Sequence, residues 1–379
     1  MTLRVGWSRR SYGAESVVYG ARHPAFRHVR VPSLPMHAVA RDPFWRATTV
    51  VAAGGRVDLV HLYNECGLVS RPWVASFEDG YPVGRRRGPA WRVALRLAAS
   101  SRCRRVLAIS EDARARLASD PSSGPALAGK CDVVWPCVPR EDDLAAGRAA
   151  WLASHPPQQG PRLLFVGAQA FSKGLEFVLD ALEPLAGRVE GLRLQVLSSF
   201  ATDTYVTRAD AARVGRVRAR LAALPGASVL PPCTRREVRA LMAQAHLLLF
   251  PTLDETFGFV VPEAMSVGLD VVTTDVRALP EILGPERARC AVALPRDAAG
   301  GWEGVRLWRT AGEAAYARAW AVARERCVEG LRARVARLAA GGDDLGSVAT
   351  RLRARYDACF SPEALGARLA DVYRRALAR

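Results

Sequence analysis

Lysine is nearly missing from this 379-residue chain: of 54 basic residues only Lys130 and Lys173 are lysines, and the rest are arginines. Long apolar runs are missing too. None approaches the roughly 20 residues that a membrane-spanning helix needs. The first residues, Met-Thr-Leu-Arg-Val-Gly-Trp, enter a strand-like segment directly. They lack the charged, apolar and small-residue zones of a signal peptide. Cys66, Cys103, Cys131, Cys137, Cys233, Cys290, Cys327 and Cys359 never stand in Cys-x-x-Cys spacing. That speaks against a zinc site or a disulfide framework and fits a reduced, cytoplasmic setting. No Asp-x-Asp stands in a strand-end turn, so the sequence predicts no metal site and no cofactor. No nucleic-acid-binding motif is present, and aromatics do not interleave with the basic run beyond Trp91, so nucleic acid is not an expected partner.

What is abundant is arginine, giving a formal net charge of +17. The Arg and Ala bias of a GC-rich genome accounts for this as solvated faces. A surplus of arginine also attracts phosphates and anionic surfaces. Eight arginines and no acid lie between Arg85 and Arg105. One reading is docking on anionic lipid at the inner face of a membrane; the other is a solvated helix face.

Half of the residues are hydrophobic, enough for two domains of ordinary size. Residues 1–158 read as one α/β unit. Its expected strands are Leu3–Trp7, Val57–Leu62, Trp73–Phe77, Val106–Ile109 and Asp132–Trp135. Ser110 suits a helix N-cap, with Glu111 and Asp112 in the first turn. The polar, Pro-rich stretch from His155 to Pro161 reads as a linker. A second alternating unit follows over 159–360, with strands at Leu163–Val166, Leu192–Leu197, Ala227–Leu230, Leu247–Phe250 and Asp270–Thr274. Thr234 and Glu237 form a capping box, and Gly268 stops the helix that carries Glu263. Strands alternating with helices imply parallel sheets covered on both faces. Residues from about 296 to 360 have a helical period, and Trp302, Trp308, Tyr316 and Trp320 there read as helix packing.

Two motifs carry chemistry. In Leu-Leu-Phe-Val-Gly-Ala-Gln-Ala-Phe-Ser-Lys-Gly-Leu-Glu, a strand runs through Gly167 to Lys173 at a helix mouth. Backbone N–H groups and the helix dipole favour an anion there, and an ammonium suits a diphosphate. In Phe-Pro-Thr-Leu-Asp-Glu-Thr-Phe-Gly-Phe-Val-Val-Pro-Glu-Ala-Met, Glu255 and Glu263 are separated by seven residues and flank Gly258. Pro262 places Glu263 in the first helical turn. Ligands of open α/β sheets bind beyond the carboxyl ends of strands, where both motifs fall. Two carboxylates there can grip a polyhydroxyl ligand.

Residues 162–283 resemble the C-terminal half of family 4 glycosyltransferases. The matching residues are Phe-Val-Gly…Lys-Gly, Glu-Thr-Phe-Gly-Phe…Pro-Glu-Ala-Met-Ser-Val-Gly-Leu and Val-Val-Thr-Thr-Asp…Leu-Pro-Glu-Ile. The tail over 361–379 resembles the family's last helix, which returns to the first domain. The resemblance implies the GT-B fold, two facing Rossmann-like domains, with acceptor bound by the first and donor by the second. It implies a retaining transfer of a hexose from a UDP- or GDP-linked sugar to a hydroxyl of a glycan, a lipid-linked sugar or a small molecule. By the same resemblance Glu263 would hold the ribose and Glu255 would face the donor sugar. Thr256, Phe257, Gly258 and Phe259 would bring backbone N–H groups to the sugar and diphosphate, and Lys173 would neutralise the leaving phosphates. The family often has an arginine after the glycine matched by Gly167; here it is Ala168. In Ser-Phe-Glu-Asp-Gly-Tyr-Pro, Glu78 takes the place of a histidine and Asp79 follows, so these two would serve near the reacting sugar or bind acceptor. Gly13 is a poor substitute for the Gly-Gly loop expected after the first strand, and His61 reads as a core or rim residue. A nucleotide-sugar epimerase and a non-catalytic sugar-nucleotide-binding protein remain the alternatives. A phosphorylase would need a further lysine for its pyridoxal cofactor.

Overall fold

The computed structural model describes residues 2–8, 11–35, 48–51, 57–82, 88–202 and 205–378. Arg85, Arg86 and Arg87 lie outside the described residues. The chain divides into two compact units, residues 1–140 with 357–379, and residues 141–356.

Unit 1 is built on strands β1 (Leu3–Trp7), β2 (Phe26–Arg30), β5 (Leu59–Tyr63), β7 (Trp73–Phe77), β8 (Cys103–Ala108) and β9 (Cys131–Val133). They form one parallel sheet in the order β2-β1-β5-β7-β8-β9. The strands β3 (Ser33–Pro35), β4 (Thr48–Val51) and β6 (Cys66–Val69) make a small second sheet that the sequence reading did not anticipate. Helix α1 (Pro89–Ala99) buries Ala90, Trp91, Ala94 and Ala98 and turns Arg92, Val93 and Arg96 outward. Helix α2 (Glu111–Ser119) starts where expected, because the Ser110 hydroxyl accepts from the Ala113 N–H at 3.0 Å.

Unit 2 has strands β10 (Arg162–Val166), β11 (Arg193–Leu197), β12 (Ala227–Val229), β13 (Leu247–Phe250), β14 (Asp270–Thr274) and β15 (Ala291–Val292). All pair in parallel in the order β12-β11-β10-β13-β14-β15. The order therefore reverses between β10 and β13, the place where open α/β sheets bind ligands. The main helices of this unit are α3 (Asp142–Ser154), α4 (Leu175–Leu182), α5 (Ala211–Ala223), α6 (Arg235–Ala243), α7 (Val260–Ser266), α8 (Leu279–Leu283) and the long α9 (Glu303–Ala339). The Thr234–Glu237 capping box opens α6. Helix α9 bends at Gly312, whose φ of 78° leaves the helical region. Tyr316 stacks on Trp320, Trp302 meets both rings edge-on, and Trp320 lies 5.0 Å from the Phe177 ring of α4. The Arg208 guanidinium lies 3.7 Å over the Trp308 ring, and the Trp320–Phe177 contact packs α9 against α4. Helix α10 (Leu345–Cys359) leaves unit 2 and leads to α11 (Pro362–Leu377) in unit 1.

The first boundary falls at residue 140, not near 158. The segment 141–158 belongs to unit 2 because Arg148 of α3 is buried there. Its guanidinium donates to the carbonyls of Gly268, Met242, Ala243 and Ala245 at 2.9–3.3 Å. The His155–Pro161 stretch is likewise no free linker: His246 accepts the Arg162 N–H at 2.9 Å and bonds the His155 carbonyl at 2.7 Å. The second boundary lies at 356/357 instead of 360.

Helix α11 is part of unit 1's core. Leu365, Leu369, Val372, Tyr373 and Ala376 pack on Val5, Phe26, Leu59, Val74 and Leu107. A buried polar chain fixes its register. His61 bonds the Tyr373 hydroxyl and the Ser76 hydroxyl, both at 2.7 Å, and His28 reaches the same Tyr373 oxygen at 3.1 Å. Burial pushes the His28 pKa down to about 4 and holds His61 well below its ordinary value, with His28 lowering it further. Both rings are therefore neutral at pH 7, as buried imidazoles must be unless paired with a carboxylate. Burial also pushes the thiols of Cys103, Cys131, Cys137, Cys290 and Cys327 up to about 12, so they pack as small apolar groups.

Candidate functional site

The two motifs converge at the carboxyl ends of β10 and β13, on either side of the strand-order reversal. The loop after β10 begins at Gly167, whose N–H donates to the Leu197 carbonyl at 3.0 Å. A Cβ at this position would stand 2.9 Å from Lys173 Cγ, so glycine lets the lysine stem lie against the backbone. Gly174 adopts φ of 81°, and a Cβ there would come within 2.2 Å of the Pro251 carbonyl oxygen. Only glycine fits this crossing of the two loops. Leu253 N–H donates to the Ser172 carbonyl at 2.8 Å, and the Thr252 hydroxyl bonds Ser172 and Asp254 carbonyls. The Thr274 hydroxyl reaches the Thr252 carbonyl at 2.6 Å. The loops after β10, β13 and β14 are thus bolted together by buried hydrogen bonds.

Lys173 is held by this frame. Its Nζ donates to the Asp254 carbonyl and to the Glu255 carboxylate, each at 2.8 Å. Both side chains are mostly buried, 17% and 16% exposed. An ion pair this sheltered is ordered, and its charges keep their reach because little water screens them. Gly258 follows with φ of 87°, and a Cβ on it would stand 2.8 Å from Leu279 and 3.1 Å from the Glu255 stem. Close backbone approach at 256–259 is therefore built in. Phe257 and Phe259 rings lie 5.1 Å apart below the turn. Glu263 sits in the first turn of α7, half-buried, with its N–H bonded to the Phe259 carbonyl.

Two participants were not read from the sequence. Asp254 stands between the strand and Glu255, and its carboxyl pKa is raised by burial, against the pull of Arg277 and Lys173. Arg277, in the loop after β14, places Nη1 3.3 Å from Asp254 Oδ1, and its side chain is 4% exposed. Its φ of 51° is unusual for a residue with a Cβ. No sequence pattern reports a backbone angle, so only the Arg in Thr-Thr-Asp-Val-Arg could have drawn notice.

In unit 1 the carboxyl edge of the sheet is polar as well. Tyr63 and Ser76 are partners in the β5–β7 register, which brings the Tyr63 hydroxyl to donate to Glu78. Glu78 N–H donates to the Asn64 side chain at 3.2 Å, and Asp79 beside it is exposed. Ser8, after β1, lies 3.5 Å from the buried carboxylate of Glu65. A Cβ on Gly13 would fall 2.2 Å from the Tyr63 hydroxyl, so this glycine makes room for the tyrosine that holds Glu78. His61 is a core residue, bound to Ser76 and Tyr373 as described above. Among the described residues no group of three or more His, Cys, Asp or Glu could hold a metal ion, and no helix is long and apolar enough to cross a membrane.

Comparison with known proteins points the same way. Residues 160–303 match the family model described as glycosyl transferases group 1. A glycogen synthase of Mycobacterium tuberculosis is 32% identical over 156 residues, 40% of this chain and 35% of that protein. The chain thus spans about a third of the length of the curated relatives it matches. Among solved structures, a glycosyltransferase from Rickettsia africae superposes with a TM-score of 0.59 at 12% identity, covering 99% of both chains. Anabaena Alr3699/HepE, solved in complex with UDP and glucose, superposes with a TM-score of 0.53 at 13% identity over 98% of this chain and 99% of its own. The chain has the GT-B fold, and within it residues 160–303 match the family of glycosyl transferases group 1.

Proposed function

We propose that this protein is a retaining, metal-independent glycosyltransferase that moves a hexose from a nucleotide diphosphate sugar to an acceptor hydroxyl. The observation that carries this is the Lys173–Glu255 pair, set at 2.8 Å where the strand order reverses. One group suits a leaving diphosphate and the other suits sugar hydroxyls. The solved neighbour that holds UDP and glucose supports a uridine donor, with a GDP-linked sugar as the competitor.

In the reaction, the bond from the anomeric carbon to the diphosphate oxygen breaks and the acceptor oxygen takes its place on the same face. The acceptor proton passes to the departing phosphate. Lys173 meets the negative charge that grows on that phosphate, together with backbone N–H groups from 256 to 259, a preorganised electrostatic stabilisation. Glu255 orients the sugar through its hydroxyls and Glu263 takes the ribose. Carboxylates flanking a glycosidic bond also occur in hydrolases. Here one is salt-bridged to a lysine, which suits an activated donor that needs no general acid. In unit 1, Glu78, oriented by Tyr63 and Asn64, and Asp79 bind the acceptor: a glycan, a lipid-linked sugar or a small molecule.

A panel of nucleotide diphosphate sugars in a thermal-shift assay tests the donor, because a ligand of the native state raises its melting point. A rise with UDP- or GDP-sugars is expected; no rise with any of them would refute the reading. Product analysis with and without acceptor separates a transferase from an epimerase, which converts donor alone. The outward row Arg92, Val93 and Arg96 on α1 favours one addition: peripheral docking on anionic lipid at the cytoplasmic face of a membrane. Vesicles with anionic lipid at low salt should pellet the protein, and failure to do so removes that addition.

A further inference from the structure

A departing nucleoside diphosphate develops two or more negative charges, and Lys173 supplies one positive charge that Glu255 already balances. Ala168, next to Gly167, supplies none. Arg277 stands on the adjoining loop, and it meets the same residue that Lys173 meets. The ammonium holds the Asp254 carbonyl at 2.8 Å, and the guanidinium lies 3.3 Å from the Asp254 carboxylate. We infer that Arg277 is a further electrostatic residue of the donor site, the second cation that stabilises the leaving diphosphate.

Three observations carry this beyond an ordinary ion pair. The guanidinium is nearly enclosed, so its field acts through a medium of low dielectric, where charge counts for more than in water. The Asp254 carboxylate binds it weakly, because burial already favours the neutral form of that carboxyl. The backbone also carries an arginine in the left-handed region, a conformation that glycine adopts without the steric cost of a Cβ. Strain kept at a ligand site points to a function for the side chain. The inference rests on the donor reading above.

The left-handed φ makes the test clean, because Arg277→Gly removes the charge and relieves the backbone together. Binding of pyrophosphate, the base-independent probe, and of UDP, GDP and ADP is measured by titration calorimetry on the full chain. Arg277→Gly should keep a cooperative melt and weaken pyrophosphate and the preferred nucleotide by roughly 10- to 100-fold. Arg277→Lys, which restores the charge, should stay within about threefold of the natural protein, by the same arithmetic. Unchanged affinity in Arg277→Gly, or equal losses in both variants, would overturn the inference. If Lys173→Ala loses binding while Arg277→Gly does not, the donor reading survives and the role of Arg277 falls. If the natural protein binds none of the four, both fall.

Discussion

Arg148 offers a sharp test of how unit 2 is held together. Its buried guanidinium serves four backbone carbonyls, those of Gly268, Met242, Ala243 and Ala245, and packs 5.9 Å from the Trp151 ring. Replacing it with Met keeps the apolar stem and strips every donor. Three N–H groups, one on Nε and two on Nη1, share these carbonyls; at roughly 2 kcal/mol for each bond from a charged donor, about 6 kcal/mol is lost. Burial offsets part of that. It drives the Arg148 pKa down to about 10, a fall worth about 3 kcal/mol against the charged group. The net loss is about 3 kcal/mol, which for a unit of this size lowers the melting temperature by about 6–12 °C. Urea unfolding of Arg148→Met, followed by tryptophan fluorescence, measures it. Arg148→Lys should fall between, since one ammonium cannot span four carbonyls. A Met variant within about 1 kcal/mol of the natural protein would refute the reasoning, because carbonyls left without a donor cannot be free of cost.

Two further outcomes follow from the same physics. His28 and His246 both titrate near 4 in the folded protein because they are buried. A base whose pKa is depressed on folding gives stability that is complete above its unfolded value, near 6.5, and lost as pH falls toward 4. For His28 alone this amounts to as much as about 3 kcal/mol. Melting scans from pH 7.5 to 4.5 should show the decline, and His28→Phe should make it shallower while His61 and His246 sustain the rest; a level profile for the natural protein would contradict the burial argument. Gly174→Ala forces a Cβ into the Pro251 carbonyl at positive φ and should cost at least about 2 kcal/mol or displace Lys173. Donor binding and thermal melting together read this out, and a variant normal in both would show that the loop crossing is soft.

Much of the fold could be read from residue patterns, and the exceptions have physical causes. Apolar runs such as Leu247–Phe250, ended by Pro or Gly, announce buried parallel strands, and these lie where expected. The small sheet escaped notice because Ser33–Pro35 and Cys66–Val69 are too short to show a period. The first domain boundary was misplaced because α3 (Asp-Asp-Leu-Ala-Ala-Gly-Arg-Ala-Ala-Trp-Leu-Ala-Ser) has no clear apolar stripe, and what docks it is a buried arginine. At the candidate site, Lys173 stood out by its place at a helix mouth after Gly167 and by the scarcity of lysine. Asp254 and Arg277 did not, since their roles depend on burial and on a backbone angle. The Tyr63–Glu78 contact arises from strand register, which neither residue reveals alone.

The central claim is that Lys173 and Glu255 act together on a nucleotide diphosphate sugar. Its most direct test is release of nucleoside diphosphate from the preferred donor by the natural protein, Lys173→Ala and Glu255→Ala. The account predicts a loss of at least about 100-fold in kcat for Lys173→Ala, the scale of one removed transition-state stabiliser, and a comparable loss in kcat/KM for Glu255→Ala. Turnover near the natural level in both variants would contradict it.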